Sequence, residues 1–437
     1  MPPIGPLRGI GYAMDRFAVP APAGRRIADL TDLACPPYDV ITPGMQAELL
    51  ARHPRNAVRL ELSAEADPHA AAASTLAAWL DDGTLVRRAA SSVYAYRHGR
   101  PEAPDRPTVR GVLARLRLEP LGGGVRAHEH TLPGPKADRL ALLHATRTQL
   151  SPILVIYFDR SERYERLMSQ PSTDEWRARD GDGLLHTLSA LDPSDELLGF
   201  LSSQQLFIAD GHHRYETALA YQADVRADSA WSKAPPEALA ADWMMVVLVN
   251  AEREELEIQA THRLLLKADA EALRSLVRGP DPIWQAFPVA PVDLAERLSD
   301  LRDADGPIFG LILPGGDGYL LVGDADAAAD RMRREPIGPA VRGLDLAVLH
   351  TAILGDLLGI DAEAIAAGTH LAYTRSVPDA IAAVTRGDAR AAILVRPTRL
   401  AELAAVANAG EVMPQKSTYF HPKLLTGMVF NPVEGAE

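Results

Sequence analysis

Residues 206–220, LFIADGHHRYETALA, constrain the fold more than any other stretch of the chain. Leu206, Phe207, Ile208 and Ala209 make a short buried strand, and Asp210-Gly211 ends it with a turn. From Tyr215 onward the residues favour a helix. A buried strand that turns straight into a helix calls for a sheet with helices packed on it, which makes the chain mixed α/β. The same turn carries His212, His213 and Arg214 at or near the helix N-terminus. Backbone N–H groups without intrahelical acceptors, together with the helix dipole, make such an end an anion site. Gly211 lets backbone approach a phosphate closely. Arg214 can grip phosphate oxygens as a fork, and the imidazoles can donate hydrogen bonds or move protons. Asp210 can bind Mg²⁺ or orient a histidine. A plain capped helix with exposed polar residues accounts for Asp210 and Gly211, but poorly for two histidines and an arginine in succession. Zinc fits less well, because adjacent histidines do not readily reach one ion and the i, i+4 ligand spacing is absent.

The rest of the chain repeats the mixture. Apolar and β-branched runs at 93–96, 109–118, 153–158, 244–249, 308–313, 319–322 and 391–395 read as strands, and 57–62 reads as another. Helices are expected over 43–51, 69–81, 136–146, 215–227, 270–277, 294–301, 345–358, 377–385 and 398–407. The alternation is too irregular for one doubly wound sheet. At 437 residues the chain exceeds what one core usually serves. A break within 260–285, which contains the turn cluster Gly279-Pro280-Asp281-Pro282, places domains at 1–265 and 266–437. The charged, Pro-interrupted stretch 323–339 reads as an irregular surface excursion.

A second dense set of ionisable groups is His128-Glu129-His130, followed by Lys136, Asp138 and Arg139 at a helix start. Such clusters on loops belong to sites more often than to cores. Glu129 is a candidate general base with His128 as its partner, and Lys136 and Arg139 are candidate phosphate ligands. A solvated loop explains Asp138 alone, and weighs evenly against the site reading for His128 and Glu129. Lower in weight are the rigid loop 35–43, the group Asn56, Arg59 and Glu61, and Thr261-His262-Arg263, where a satisfied strand-end histidine serves as well. Lys416, Ser417 and Thr418 can hold a phosphate or carboxylate, although charge on such a segment is normally just solvated.

Composition narrows the function classes. A net charge of −13 works against a DNA or RNA surface, which needs a basic face. A single cysteine, Cys35, excludes an intramolecular disulfide framework and reads as a buried thiol. The N-terminal residues lack the apolar stretch of a signal peptide, and no apolar run approaches a membrane span, so a cytoplasmic protein without membrane contact is expected. No Walker loop, dinucleotide fingerprint, protein-kinase or hydrolase signature is present.

On the stretches 36–40, His53-Pro54-Arg55-Asn56 with Val58-Arg59-Leu60, His128-Glu129 with Lys136 and Asp138-Arg139, 209–218, 261–263 and 413–419, nearly the whole chain resembles the DUF1015 family. The turn 210–214 also resembles, more distantly and over about a dozen residues, the phosphate-binding turn of the ParB/sulfiredoxin superfamily, which includes free serine kinases. That resemblance implies an α+β, ParB/sulfiredoxin-like nucleotide-binding core with an additional C-terminal α/β domain. It places phosphates at Gly211, His213 and Arg214, with His212 at the position that varies. Sulfiredoxin's reactive cysteine is replaced by His212, which argues against sulfinic-acid repair. Together these features imply a phosphotransferase for a small hydroxylated metabolite, serine or phosphoserine-like, using ATP or ADP with Mg²⁺ held by Asp210. Glu129 or Asp210 would accept the substrate proton, aided by His128 and His212. Lys136, Arg139, Lys416, Ser417 and Thr418 would complete the cofactor contacts. The alternatives are a phosphoserine-type phosphatase, a nucleotide-dependent switch protein, and a metal-dependent hydrolase built on His128, His130 and His212. Homodimerisation is left open.

Overall fold

The computed structural model describes residues 1–102, 108–129, 131, 133–168, 173–228, 230–235, 238–278 and 281–435. The chain forms two compact units. The first holds residues 1–127, 131–256 and 422–437, and the second holds 128–130 and 257–421. Sequence reasoning expects one crossing, after residue 265. In the structure residues 128–130 leave the first unit, and residues 422–437 return to it.

The first unit is built on a mixed sheet of eleven strands among the described residues. Its central part runs Leu185–Leu191, Val93–Gly99, Val109–Arg117, Trp243–Asn250, Ile153–Tyr157, Leu206–Asp210 and Val125–Arg126. Trp243–Asn250 is buried at every position, as a strand covered on both faces should be. It pairs antiparallel with Val109–Arg117 and parallel with Ile153–Tyr157. Leu206–Asp210 is antiparallel to Ile153–Tyr157 and parallel to Val125–Arg126. The helix His212–Ala227 lays Tyr215 and Ala218 onto the core that contains Val155, Ile208 and Val246. Burying a large side chain such as Tyr215 contributes about 1.5–3 kcal/mol, and its hydroxyl donates to the Glu119 carbonyl at 2.8 Å. Helix Pro133–Thr146 packs beside His212–Ala227.

Among the described residues the second unit has a six-stranded antiparallel sheet, ordered Trp284–Pro288, Gly318–Gly323, Ile308–Ile312, Ala391–Val395, His262–Leu265, Leu371–Thr374. Leu294 and Leu298 of one helix and Ala380, Ala383 and Val384 of another cover it.

The fold is therefore mixed α/β, and the strands expected at 93–96, 109–118, 153–158, 206–209, 244–249, 308–313, 319–322 and 391–395 are present with small changes of boundary. Three expectations fail. Residues 58–61 form a helical turn rather than a strand, because the buried Asn56 side chain accepts the Val58 N–H at 2.9 Å and so diverts the backbone. Within 323–339 lies a regular helix, Ala325–Met332, started by Asp324 accepting from the Ala327 N–H at 2.8 Å. The single helix expected over 345–358 opens after Val348 into a π-helix, Leu349–Leu357. Gly355 accommodates the wider turn, since a Cβ there would sit 3.3 Å from the His350 carbonyl. Gly279 and Pro280 of the expected turn cluster lie outside the described residues. Among the described residues no helix is long and apolar enough to cross a membrane.

Candidate functional site

The turn between strand Leu206–Asp210 and helix His212–Ala227 depends on Gly211, which takes φ 100° and ψ 28° as the helix N-cap. That left-handed conformation disfavours any side chain. Space forbids one as well, because a Cβ would lie 2.4 Å from Ile153 Cγ2 on the neighbouring strand. The strand pair shifts register between Leu154 and Val155, with Leu154 opposite Asp210. This irregularity re-aims the backbone where the site begins.

Asp210 is the centre of the charge arrangement. Lys423 Nζ donates to its Oδ1, and Arg214 Nη2 donates to its Oδ2 at 2.8 Å. Arg214 Nη1 donates to the Pro152 carbonyl at 2.6 Å and to Ser151 Oγ at 3.2 Å. Burial pushes the Asp210 carboxyl up, but Lys423 and then Arg214 outweigh it and hold it at about 2. His212, only 4% exposed, adds to that pull. Burial lowers the Arg214 pKa, while Asp210 and Asp39 more than restore it.

These contacts show how Asp210 and Arg214 are engaged within the protein. A carboxylate this acidic is a poor proton acceptor near neutrality. Both its oxygens already face cations, so it does not fit a Mg²⁺ ion as arranged. Among the described residues no three His, Cys, Asp or Glu side chains gather as a metal group. Arg214 directs its fork to Asp210, Ser151 and Pro152 and so holds the turn.

The base that the turn lacks has a candidate nearby in Glu61. This carboxylate is buried, and burial raises its pKa against the opposing pull of Arg139 and Arg214. It lines a small cleft of about 50 Å³ with Arg139, Ser151 and Arg214. Ser151 Oγ lies 3.5 Å from Glu61 Oε1. Arg139 donates through Nη1 to the Glu61 carbonyl at 2.9 Å and through Nε to Asp138 at 2.8 Å. Its guanidinium also stacks over the Tyr38 ring, 4.3 Å from the centroid. Burial lifts the Tyr38 hydroxyl to about 12. Arg139, expected to be a phosphate ligand, is thus mainly engaged within the protein. Sequence reasoning noticed Glu61 only as a polar neighbour of Arg59 on a presumed strand. It had no signal for Ser151, an ordinary serine before a proline.

Lys136 does come to the same helix. Its Nζ donates to Glu216 Oε2 at 2.8 Å, and the Thr131 hydroxyl donates to the same oxygen at 2.7 Å. Burial raises Glu216, but these two hydrogen bonds bring its pKa below the usual value. Thr131 and Lys136 therefore contact the helix that starts at the 210–214 turn. His213 stands half-buried on the first turn of this helix, and its charge also acts on Glu216.

His128 and Glu129 belong to the second unit, together with 413–418. Glu129 bridges Met413, and the Met413 N–H donates to the His128 carbonyl at 2.8 Å. His128 Nε2 lies 3.0 Å from Thr418 Oγ1. The Ser417 hydroxyl donates to the Pro414 carbonyl, and exposed Lys416 has a positive φ of 56°. The structure thus groups His128 and Glu129 with Lys416, Ser417 and Thr418 inside that unit. His130 lies outside the described residues. Cys35 is buried, and burial drives its thiol pKa up, as a bland thiol requires.

Distant likenesses exist among solved structures. A free serine kinase in complex with AMP has 12% identity and a TM-score of 0.35, covering 70% of this chain and 86% of that one. A variant of free serine kinase in complex with ADP has 12% identity and a TM-score of 0.36, covering 70% and 87%. A conserved hypothetical protein from Pyrococcus furiosus has 13% identity and a TM-score of 0.35, covering 71% and 92%. No curated protein matches the chain. The family described as "Protein of unknown function (DUF1015)" matches residues 18–347, well over half of the sequence, and the chain belongs to that family.

Proposed function

We infer that the first unit transfers a phosphoryl group from ATP or ADP to the hydroxyl of a small metabolite, with free serine as the leading acceptor. The observation that carries this reading is one juxtaposition. A helix N-terminus is held rigid by the Lys423–Asp210–Arg214 bridge, beside a cleft that holds a raised-pKa carboxylate, Glu61. Phosphoryl transfer asks for positioned cations and one proton acceptor more than for covalent chemistry. Phosphate oxygens are received at the start of helix His212–Ala227, where the dipole favours negative charge. Gly211 lets them approach the backbone, and His213 and Lys136 supply positive charge. Glu61 takes the proton as the substrate oxygen attacks phosphorus and the bridging P–O bond of the nucleotide breaks, leaving ADP or AMP. Mg²⁺ would enter on the nucleotide phosphates rather than on Asp210.

Two variants test the reading. His213→Ala is expected to weaken nucleotide binding about tenfold, worth about 1.4 kcal/mol. Glu61→Gln is expected to cut kcat by about 10²–10⁴ while nucleotide Kd stays within about twofold. Absence of calorimetric binding of ATP and ADP with Mg²⁺, or full turnover in Glu61→Gln, sinks it. Glu129→Gln is the companion variant, because the sequence makes Glu129 the rival proton acceptor. Phosphoserine cleaved without nucleotide would replace kinase by phosphatase at the same phosphate site.

A further inference from the structure

The second unit contains a cavity of 270 Å³ at one end of its six-stranded sheet. Strand Ile308–Ile312 begins there, and strands Gly318–Gly323 and Ala391–Val395 end there, as the pairings Ile308 with Val322 and Phe309 with Val395 require. At about 30 Å³ per water, the space equals roughly nine water molecules. That is room for a small metabolite rather than a lone ion.

The floor of the cavity is built and fixed. Arg396 donates from Nε and Nη2 to the two oxygens of Asp345, at 2.8 and 2.9 Å. Its remaining donors go to the carbonyls of Leu301 (2.7 Å), Ala304 (2.9 Å) and Gly306 (2.7 Å). All five N–H groups are thereby used, so Arg396 ties three wall segments together and has nothing left for a ligand. Arg399 and Glu402 neutralise one another in the same way, with Nη2 to Oε1 at 2.6 Å and the Arg399 N–H on Oε2 at 2.8 Å.

Of the ionisable groups lining the cavity, this leaves Arg302 and Arg342 against Asp305 alone. Arg342 gives Nη2 to the Glu335 carbonyl at 3.1 Å, and its buried Nε–H has no acceptor among the described residues. Arg302 is exposed at the rim and makes no side-chain hydrogen bond or ion pair among the described residues. The uncommitted charge is a net excess of one cation, carried by fork-shaped donors suited to a planar or tetrahedral oxyanion.

We propose that this cavity is a second ligand site, distinct from the phosphate turn, which takes a small organic anion of roughly ten non-hydrogen atoms through Arg342 and Arg302. Carboxylate and phosphate share the recognition chemistry, so the probes are malate and glycerol 3-phosphate, titrated separately into the full chain by calorimetry. Saturable binding of at least one is expected, and the preferred probe identifies the anion. Arg342→Gln is expected to raise that Kd about tenfold. Ala329→Asp is the second variant. Ala329 lines the cavity on an exposed face of helix Ala325–Met332, so the substitution adds negative charge without touching the core. It too is expected to raise Kd about tenfold or more. His213→Ala in the first unit should leave this binding unchanged. No saturable binding of either probe, or a Kd within twofold of the native value in Arg342→Gln or Ala329→Asp, overturns the proposal.

Discussion

Two buried arginines, one in each unit, solve the same problem in opposite ways. Arg214 meets the carboxylate of Asp210, with Asp39 and Glu61 adding to the field, and its charge is reinforced despite burial. Arg263, 0% exposed, has no carboxylate in ion-pair reach among the described residues. Its donors go instead to the carbonyls of Thr261, Gln415 and Lys416, and its guanidinium lies 5.6 Å from the Tyr373 ring centroid. Burial pulls it down to about 10. The neighbouring histidines follow. Burial first, and Arg263 second, lower His262 to about 4 and His350 to about 3. Arg214 keeps its charge by pairing, and Arg263 keeps its charge beside histidines held neutral.

The sharpest way to break this comparison is to remove the paired carboxylate. Asp210→Ala leaves Arg214 and Lys423 buried without their counter-ion, and the expected loss of stability is about 3–5 kcal/mol. Urea unfolding measures it. A loss under about 1 kcal/mol would mean that the pair is not what holds the turn.

Acid should separate the units next. His262 has a folded pKa below its unfolded one, so the unfolded state binds more protons between the two values. Its stabilising contribution is present above about pH 6.5 and is lost as pH falls towards 4, to the extent of about 3 kcal/mol. His350 acts in the same direction over a window reaching to about 3. Asp210, with a folded pKa of about 2, contributes stability above pH 4 that is lost only as pH falls from 4 to 2, about 2.5 kcal/mol. Glu61 opposes it, because its raised pKa favours the folded state as the carboxyl takes a proton. Hydrogen exchange read by peptide at pH 7, 5 and 3 should show residues 257–421 losing protection first. Loss of protection in both units over one pH range would contradict the assignment.

A smaller effect probes the turn itself. Gly211→Ala forces a side chain into a left-handed conformation and against Ile153 Cγ2, and is expected to cost about 1–3 kcal/mol. Its effect on nucleotide affinity should exceed that of a surface alanine, because the helix start moves with it. A Tm equal to that of the native chain would show that the strand yields at no cost.

How much of this was legible beforehand depends on how local the signal is. The strand–turn–helix at 206–220 was readable because its apolar run, its glycine and its helix formers are contiguous. The expected helix began at Tyr215, whereas the regular turn already starts at His212. The grouping of 131–139 with 210–216 rests on Glu216, which nothing in the sequence marks as the acceptor for Lys136 and Thr131. Lys423 lies 213 residues from Asp210, so the pairing that sets the carboxyl's acidity was invisible to spacing. Glu61 was misread because the apolar alternation of Val58, Leu60 and Leu62 suits a strand. A single hydrogen bond, donated by the Val58 N–H to the Asn56 side chain, decided otherwise. Glu129 was read from its ionisable neighbours alone, and nothing in the sequence marks its backbone bridge to Met413, within the second unit.

The most delicate test reverses the charge logic of the second unit. Arg263→Met removes a cation without stranding a carboxylate, so its net cost is set by the carbonyls of Thr261, Gln415 and Lys416 and should be within about 1–2 kcal/mol. Arg214→Met, which leaves Asp210 with Lys423 alone, should cost more. The methionine variant also lifts the electrostatic suppression of His262 and His350, whose pKa values should rise while burial still holds them below 6.5. A higher folded pKa narrows the window in which acid destabilises, so residues 257–421 should become more resistant between pH 6.5 and 4 although a charged residue has been lost. Histidine titration by NMR and the acid midpoint report this together. Unshifted histidines would show that Arg263 does not govern them, and that burial alone separates the two units.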